Sequence, residues 1–237
     1  MKQIRQLIFI FLAISTTLSK ADVSLVSGWN LLGNGSTSAI NVASVFGDAS
    51  KYTTVWKWNA SAGTWSFYTP SLSATDLATY AQSKGYSVLT TIHSKEGFWV
   101  NAKSATTAPI SNDNSAAVLL QSDMTVGWNL LASSDGQTPS QLNLSLKSSL
   151  SSNGKSITTI WAWDASTSTW KFYAPSLEAQ GGSVFADYIA NKKYLSFTTP
   201  LSSTDGFWMN IGTVTPTKAT SDPNNAMPVL AVVIVGM

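Results

Sequence analysis

The stretch Thr53-Thr-Val-Trp-Lys-Trp-Asn-Ala-Ser-Ala-Gly-Thr-Trp-Ser-Phe-Tyr-Thr-Pro-Ser-Leu72 recurs without a gap as Thr158-Thr-Ile-Trp-Ala-Trp-Asp-Ala-Ser-Thr-Ser-Thr-Trp-Lys-Phe-Tyr-Ala-Pro-Ser-Leu177. Each copy alternates aromatic or β-branched residues with polar ones on both sides of a short polar turn, the pattern of a β-hairpin. A register that pairs Trp58 with Trp65 also pairs Trp56 with Phe67, and the second copy pairs Trp163 with Trp170 and Trp161 with Phe172 in the same way. Opposed residues share a face. Each hairpin is therefore expected to carry three Trp and one Phe on one side, with Lys57 and Ser66, or Ala162 and Lys171, on the other. A slip of one residue would scatter the aromatic set over both faces. Asn59 and Asp164 stand where a side chain can bond to the backbone ahead and open the turn.

The duplication reaches well beyond the hairpin. Gly28-Trp-Asn-Leu-Leu32 recurs as Gly127-Trp-Asn-Leu-Leu131, and Glu96-Gly-Phe-Trp-Val-Asn101 as Asp205-Gly-Phe-Trp-Met-Asn210. The offset between copies grows from 99 to 105 to 109, so the second copy has the longer loops. Two long copies imply two tandem modules; a solenoid would use more and shorter units.

Each module reads in the same order. Opening strands are expected at Val23 to Leu32 and Met124 to Leu131. A short helix follows, capped by Ser38 with Val42, Val45 and Phe46 inward and Gly47 as its stop. Its counterpart is capped by Thr138, with Pro139 in the first position and Leu142, Leu146 and Leu150 as the apolar stripe. After the hairpin, Ser73 caps a helix through Leu77, Tyr80 and Ala81 to Gly85, matched by a helix from Ser183 to Lys192-Lys193. Strands close each module at Tyr86 to Ile92 and Gly97 to Ala102, and at Tyr194 to Thr199 and Gly206 to Ile211. The expected fold is mainly β (β-rich α+β): two tandem modules, each a small antiparallel sandwich or barrel-like sheet with one or two short helices.

Residues 1–21 read as a secretory signal peptide, with Lys2 and Arg5 before an apolar stretch and a small-residue site ending at Ala21. The first module spans 22–102, a polar linker 103–117, and the second module 118–237. Within the second module Val229 to Val235 reads as a buried last strand, too short to cross a bilayer as a helix. No membrane span is expected after cleavage. The chain is expected to be exported: secreted, at the cell surface, or periplasmic.

Composition narrows the function. The 14 basic residues lose Lys2, Arg5 and Lys20 with the leader, which leaves 11 against 12 acids, a net charge of −1. Arg5 is the one arginine, so the remainder lacks the fork that reads phosphate and guanine, and nucleic acid is not an expected partner. Without cysteine there is no disulfide, thiolate or Cys-ligated metal. No metal-binding, phosphate-binding or nucleophile motif occurs, so no cofactor, metal ligand or catalytic residue is assigned.

The Trp sets admit two readings. One is a pair of cores, since each module is poor in Leu and Ile and an aromatic side chain buries a large apolar area. The other is a stacking platform for an extracellular glycan, for which Trp29, Trp99, Tyr68, Trp128, Trp208 and Tyr173 are the candidate binding residues. A third possibility is a glycosidase using Glu96 or Asp205, which needs two carboxylates roughly 5–9 Å apart. Against it, acids at strand ends usually serve turns. His93, the one histidine, reads as a solvated loop residue.

Gly-Trp-Asn-Leu at the start, Val-Trp-Lys-Trp with Trp-x-Phe-Tyr in the middle and Glu-Gly-Phe-Trp-Val-Asn at the end together resemble a module of secreted bacterial proteins, found in tandem or appended to larger surface proteins. The likeness covers nearly all of the chain after residue 21. It implies an extracellular β-rich part and no catalytic residues. Binding or adhesion to a glycan or surface protein is the expected role.

Overall fold

The structure, a computed structural model, describes residues 22–110 and 117–214. The expected leader and the expected last strand at 229–235 lie outside the described residues. The first copy runs β1 (Asp22–Leu25), β2 (Gly28–Asn34), β3 (Ile40–Asn41), α1 (Val42–Phe46), β4 (Tyr52–Asn59), β5 (Thr64–Tyr68), α2 (Ala74–Lys84), β6 (Ser87–Val88), β7 (Thr91–Ile92), β8 (Glu96–Ala102) and β9 (Thr106–Pro109). The second runs β10 (Gly127–Ala132), α3 (Pro139–Ser151), β11 (Lys155–Asp164), β12 (Thr169–Tyr173), α4 (Pro175–Glu178), α5 (Val184–Lys192), β13 (Leu195–Ser196) and β14 (Gly206–Thr213). The fold is mainly β with short helices, and no sheet closes into a barrel.

Both hairpins adopt the expected register: Trp58 faces Trp65 and Trp56 faces Phe67, while Trp163 faces Trp170 and Trp161 faces Phe172. Each copy then repeats one strand order, β2-β8-β4-β5-β6 and β10-β14-β11-β12-β13. The outermost pairs, β5 with β6 and β12 with β13, are parallel. The long strands pair antiparallel, as expected, and these two short edge pairs are the exception. A helix lies between the two strands in each case, and a parallel pair needs such a crossover. The long last strands expected at Tyr86 to Ile92 and Tyr194 to Thr199 shrink to two-residue pieces for the same reason. After each crossover the chain touches the sheet edge and leaves it.

The helix starts follow their caps. Thr138 caps α3 by accepting from the Gln141 amide, and Leu142, Leu146 and Leu150 are all buried. Ser73 caps α2, and Gly85 ends it with φ +74°. The first helix starts later than expected. Asn41 caps it by accepting from the Ser44 amide, because Ile40 and Asn41 first pair with β7. A bulge interrupts β4 between Tyr52 and Thr54, and β11 carries its equivalent between Ile157 and Thr159.

Part of the segment expected as a polar linker, 103–117, is strand. β9 pairs with β1 along four residues, and Ala108 and Ile110 are buried in an apolar cluster of the first copy. The polar composition of 103–110 conceals two buried apolar positions in a short strand pair.

Apolar burial is divided among three clusters. Val42, Phe46, Val55, Phe98 and Ile110 belong to an outer core of the first copy. Leu142, Leu146, Ile160, Phe197 and Phe207 belong to an outer core of the second. The third cluster takes residues from both copies, among them Trp56, Phe67, Leu77, Trp99, Trp161, Phe172 and Trp208. Two independent cores joined by a surface link were expected. The aromatic faces instead meet each other.

Candidate functional site

The contact between the copies is reciprocal. Leu32 pairs with Asp205, and its counterpart Leu131 pairs with Glu96. The Gly33 amide donates to the Thr204 carbonyl at 2.8 Å, and the matching Ala132 amide donates to the Lys95 carbonyl at 2.9 Å. The backbones come so close here that no Cβ fits at two matched positions. At Gly97 it would stand 2.6 Å from the Leu131 carbonyl oxygen, and at Gly206 it would collide with that of Leu32. Each copy presents the same patch to the other, as subunits do across a two-fold axis.

All ten tryptophans fall into two clusters of five around this contact. Trp56, Trp58 and Trp65 of the first hairpin pack with Trp128 and Trp208 of the second copy. Trp161, Trp163 and Trp170 pack with Trp29 and Trp99 of the first. The rings meet edge to face or tilted, the favoured arrangements for aromatic pairs, with centroids 5.1–6.4 Å apart. Two further bonds tie the halves: the Trp58 indole Nε1–H donates to the Trp128 carbonyl at 2.9 Å, and that of Trp163 to the Trp29 carbonyl at 3.0 Å.

The six candidate platform residues divide by burial. Trp99, Trp208 and Tyr173 are buried, with 5%, 2% and 3% of their surface exposed; the two Trp belong to the shared aromatic cluster and Tyr173 to the second outer core, where it borders a cavity. Trp29, Trp128 and Tyr68 are half-buried. Trp29 and Trp128 lie against Trp99 and Trp208 with one ring edge each.

The acids that raised the possibility of catalysis are occupied. Lys57 Nζ lies 2.7 and 2.8 Å from the two carboxylate oxygens of Glu96, and Glu96 Oε2 also accepts from the His93 amide at 2.6 Å. Asp205 caps its own loop by accepting from the Ser202 amide at 2.8 Å. Asn59 Oδ1 accepts from the Ala62 amide, and Asp164 Oδ1 from Ser166 and Thr167, which is turn chemistry. The Ser166 hydroxyl, bonded to Asp164 Oδ1 at 2.6 Å, is the first reason that this carboxyl lies below the ordinary aspartate range. His93 is an exposed loop residue.

Two features escape the sequence. The asparagine of Gly-Trp-Asn is buried and clamps the turn before it. Asn30 Nδ2 donates to the Val26 and Gly28 carbonyls, and its Oδ1 accepts from the Val26 amide. Asn129 does the same with Thr125 and Gly127. The repetition of the motif was the available signal, but its cause is local geometry. The second feature is a cleft of about 280 Å³ where the first hairpin meets the second copy, walled by Lys57, Trp58, Asn59, Glu96, Asp123 and Asn129. A cross-copy ion pair, Lys95 with Asp123 at 2.9 Å, stands at this boundary.

No family model matches the chain, and no curated protein or solved structure shows significant similarity to it. Among the described residues, no helix is long and apolar enough to cross a membrane.

Proposed function

We propose that this chain is an exported, non-enzymatic tandem-module protein that acts as a rigid binding or structural unit at the cell surface. The observation that carries the reading is the reciprocal interlock. The duplicated aromatic residues are used to hold one copy against the other, and the duplicated acids to cap loops. A buried Trp or Phe removes about 150–250 Å² from water, on the order of 4–6 kcal/mol each before entropy. A chain without disulfides outside the cell gains its rigidity from such burial. The leader-like residues 1–21 support export, and the absence of arginine after Arg5 weighs against nucleic acid.

The test has two arms. Mass spectrometry of the exported protein is expected to find an N-terminus at Asp22. A panel of glycoside, ester and peptide substrates is expected to show no turnover. Hydrolysis abolished by replacing Glu96 or Asp205 would establish the glycosidase reading in its place.

A glycan partner is the second reading. The cleft beside Trp58 favours it, because an indole edge next to Asn and charged side chains offers both stacking and hydrogen bonds. Titration of intrinsic Trp fluorescence with soluble polysaccharides tests it. An unchanged emission spectrum across a broad panel would leave an adhesive contact with a surface protein as the binding role.

A further inference from the structure

The second copy contains a pocket for which the first has no matching chain. Between Leu177 and Tyr188 the offset to the first copy rises from 105 to 108, so three extra residues enter here. They turn the chain through the one-turn helix α4 and then through Gly181 and Gly182, with φ of +67° and +57°. Two consecutive left-handed residues are readily available only to glycine. This detour opens a cavity of about 260 Å³, bounded by Leu177, Phe185, Phe197, Tyr173 and Glu178. Its volume is below the usual range for drug-sized ligands, so it admits a small molecule.

The one charged group of the pocket is Glu178, an exposed residue at its mouth; Thr138, Ser140, Ser196 and Thr198 add hydroxyl groups to the lining. Tyr173, itself buried, donates its hydroxyl to Glu178 Oε2 at 2.6 Å. Ser140, in the first turn of α3, donates to the same oxygen at 3.1 Å. Both donors go to Oε2, and no described residue donates to Oε1. In the first copy the position of Glu178 is taken by Ser73, which caps α2 instead. An anchored carboxylate with a free oxygen, among the rings of Tyr173, Phe185 and Phe197, has the chemistry that recognises organic cations. The carboxylate supplies the countercharge, and the ring faces attract the cation and cover its methyl groups.

The geometry points to a binding site for a small organic ammonium cation, built by the insertion in the second copy from Glu178, Tyr173 and Phe185. The site lies where two clusters meet: Tyr173 and Phe197 belong to the second outer core, while Phe185 and Leu177 pack against the shared aromatic cluster. The inference does not rest on the role proposed above. A free ammonium compound and an ammonium group borne by a lipid headgroup or a lysine side chain share this chemistry.

The test is calorimetric titration of the exported protein with choline and with its uncharged carbon isostere 3,3-dimethylbutanol. Choline is expected to bind at one site with a Kd in the range of about 0.1–1 mM, and the isostere about tenfold or more weakly. Glu178→Gln keeps an acceptor for Tyr173 and is expected to cut choline affinity about tenfold without moving the thermal unfolding midpoint. Phe185→Ala is expected to weaken choline in the same sense. Absence of saturable choline binding would overturn the proposal. So would equal affinity for the isostere, or binding that survives Glu178→Gln in a folded protein. Given choline binding, comparison of phosphatidylcholine vesicles with an acetyl-lysine-amide peptide bearing a trimethylated side chain separates the two macromolecular sources.

Discussion

The tryptophans of the two aromatic faces correspond residue for residue, while on the outer faces matched strand residues such as Phe98 and Phe207 lie under unlike helices and loops. Five tryptophans on one side of the contact answer five on the other, and both cross-copy indole bonds recur. On the outer faces a five-residue helix in the first copy stands against a thirteen-residue helix in the second. Lys57 stands against Ala162, and the loop carrying Ser73 against the insertion that carries Glu178. The difference follows from what each face touches. A residue on the shared face packs against the partner's version of the same surface, so both copies must change together. A residue on an outer face answers only to its own core. Divergence, and with it any ligand specificity, belongs on the outside.

The strongest way to break this comparison is to remove a ring from the shared face. Trp208→Ala is expected to cost about 3–5 kcal/mol and to destabilise both copies in one cooperative transition. Guanidinium unfolding followed by Trp circular dichroism and by amide exchange in each copy measures this. Leu146→Ala, in the second outer core, is expected to cost about 2–5 kcal/mol while leaving the coupled Trp signal of the folded state intact. Separate transitions for the two copies in the parent protein would show that the shared core does not couple them.

Steric closeness at the contact gives the next effect. Gly97→Ala and Gly206→Ala each push a methyl group into the opposite copy's backbone, at a cost of about 1–3 kcal/mol. Because the two positions are matched, the two losses are expected to be alike. Gly63→Ala, in an exposed turn with open space around the position a Cβ would take, meets no such wall. It carries only the strain of its φ of +63°. Unequal effects at Gly97 and Gly206 would mean that the symmetry is looser than the hydrogen bonds imply.

Much of one copy was legible in the sequence, and little of the pairing. The hairpin register followed from side-chain alternation, because period 2 fixes which residues share a face. Thr138 with Pro139, and Ser73, marked their helices through local bonding. What alternation cannot tell is what lies above the face. Three Trp and a Phe can cover their own module or a neighbour, and the same residues satisfy both. The reach of β9 and Ile110 was hidden because two buried side chains in a Ser/Thr-rich segment leave no periodic trace. The crossovers that make β5–β6 and β12–β13 parallel were hidden too, since two-residue strands carry almost no pattern. The pocket at Glu178 was visible only as a change of offset.

A smaller effect tests the outer-face difference directly. Lys57 and Glu96 retain 14% and 30% side-chain exposure, so solvent screens their bond. Lys57→Ala is expected to cost about 1 kcal/mol or less, because Glu96 keeps its bond from the His93 amide. The second copy already carries Ala162 at this position without harm to its matching turn. High salt is expected to shrink the difference between parent and variant. A loss several times larger, insensitive to salt, would place Lys57 in the interlock itself.

The smallest effect is a difference in acid response between the two hairpin turns. Asn59 and Asp164 open them, and each accepts a backbone amide at 3.2 Å, from Ala62 and from Thr167. Asn59 has no charge to lose. Asp164 has its pKa lowered from the ordinary 3.8, first by the Ser166 hydroxyl and further by the Thr167 amide and Lys171. A carboxyl depressed in the folded state contributes stability that is present above its unfolded value and is lost as pH falls through its folded value. Acidification below the ordinary aspartate range should therefore loosen the second turn and spare the first. Amide chemical shifts report it: the Thr167 resonance is expected to move as Asp164 protonates, while that of Ala62 shows no matching titration. In Asp164→Asn the Thr167 movement is expected to vanish. A Thr167 amide that titrates unchanged in Asp164→Asn would assign the acid response to another carboxyl and leave the two turns equivalent.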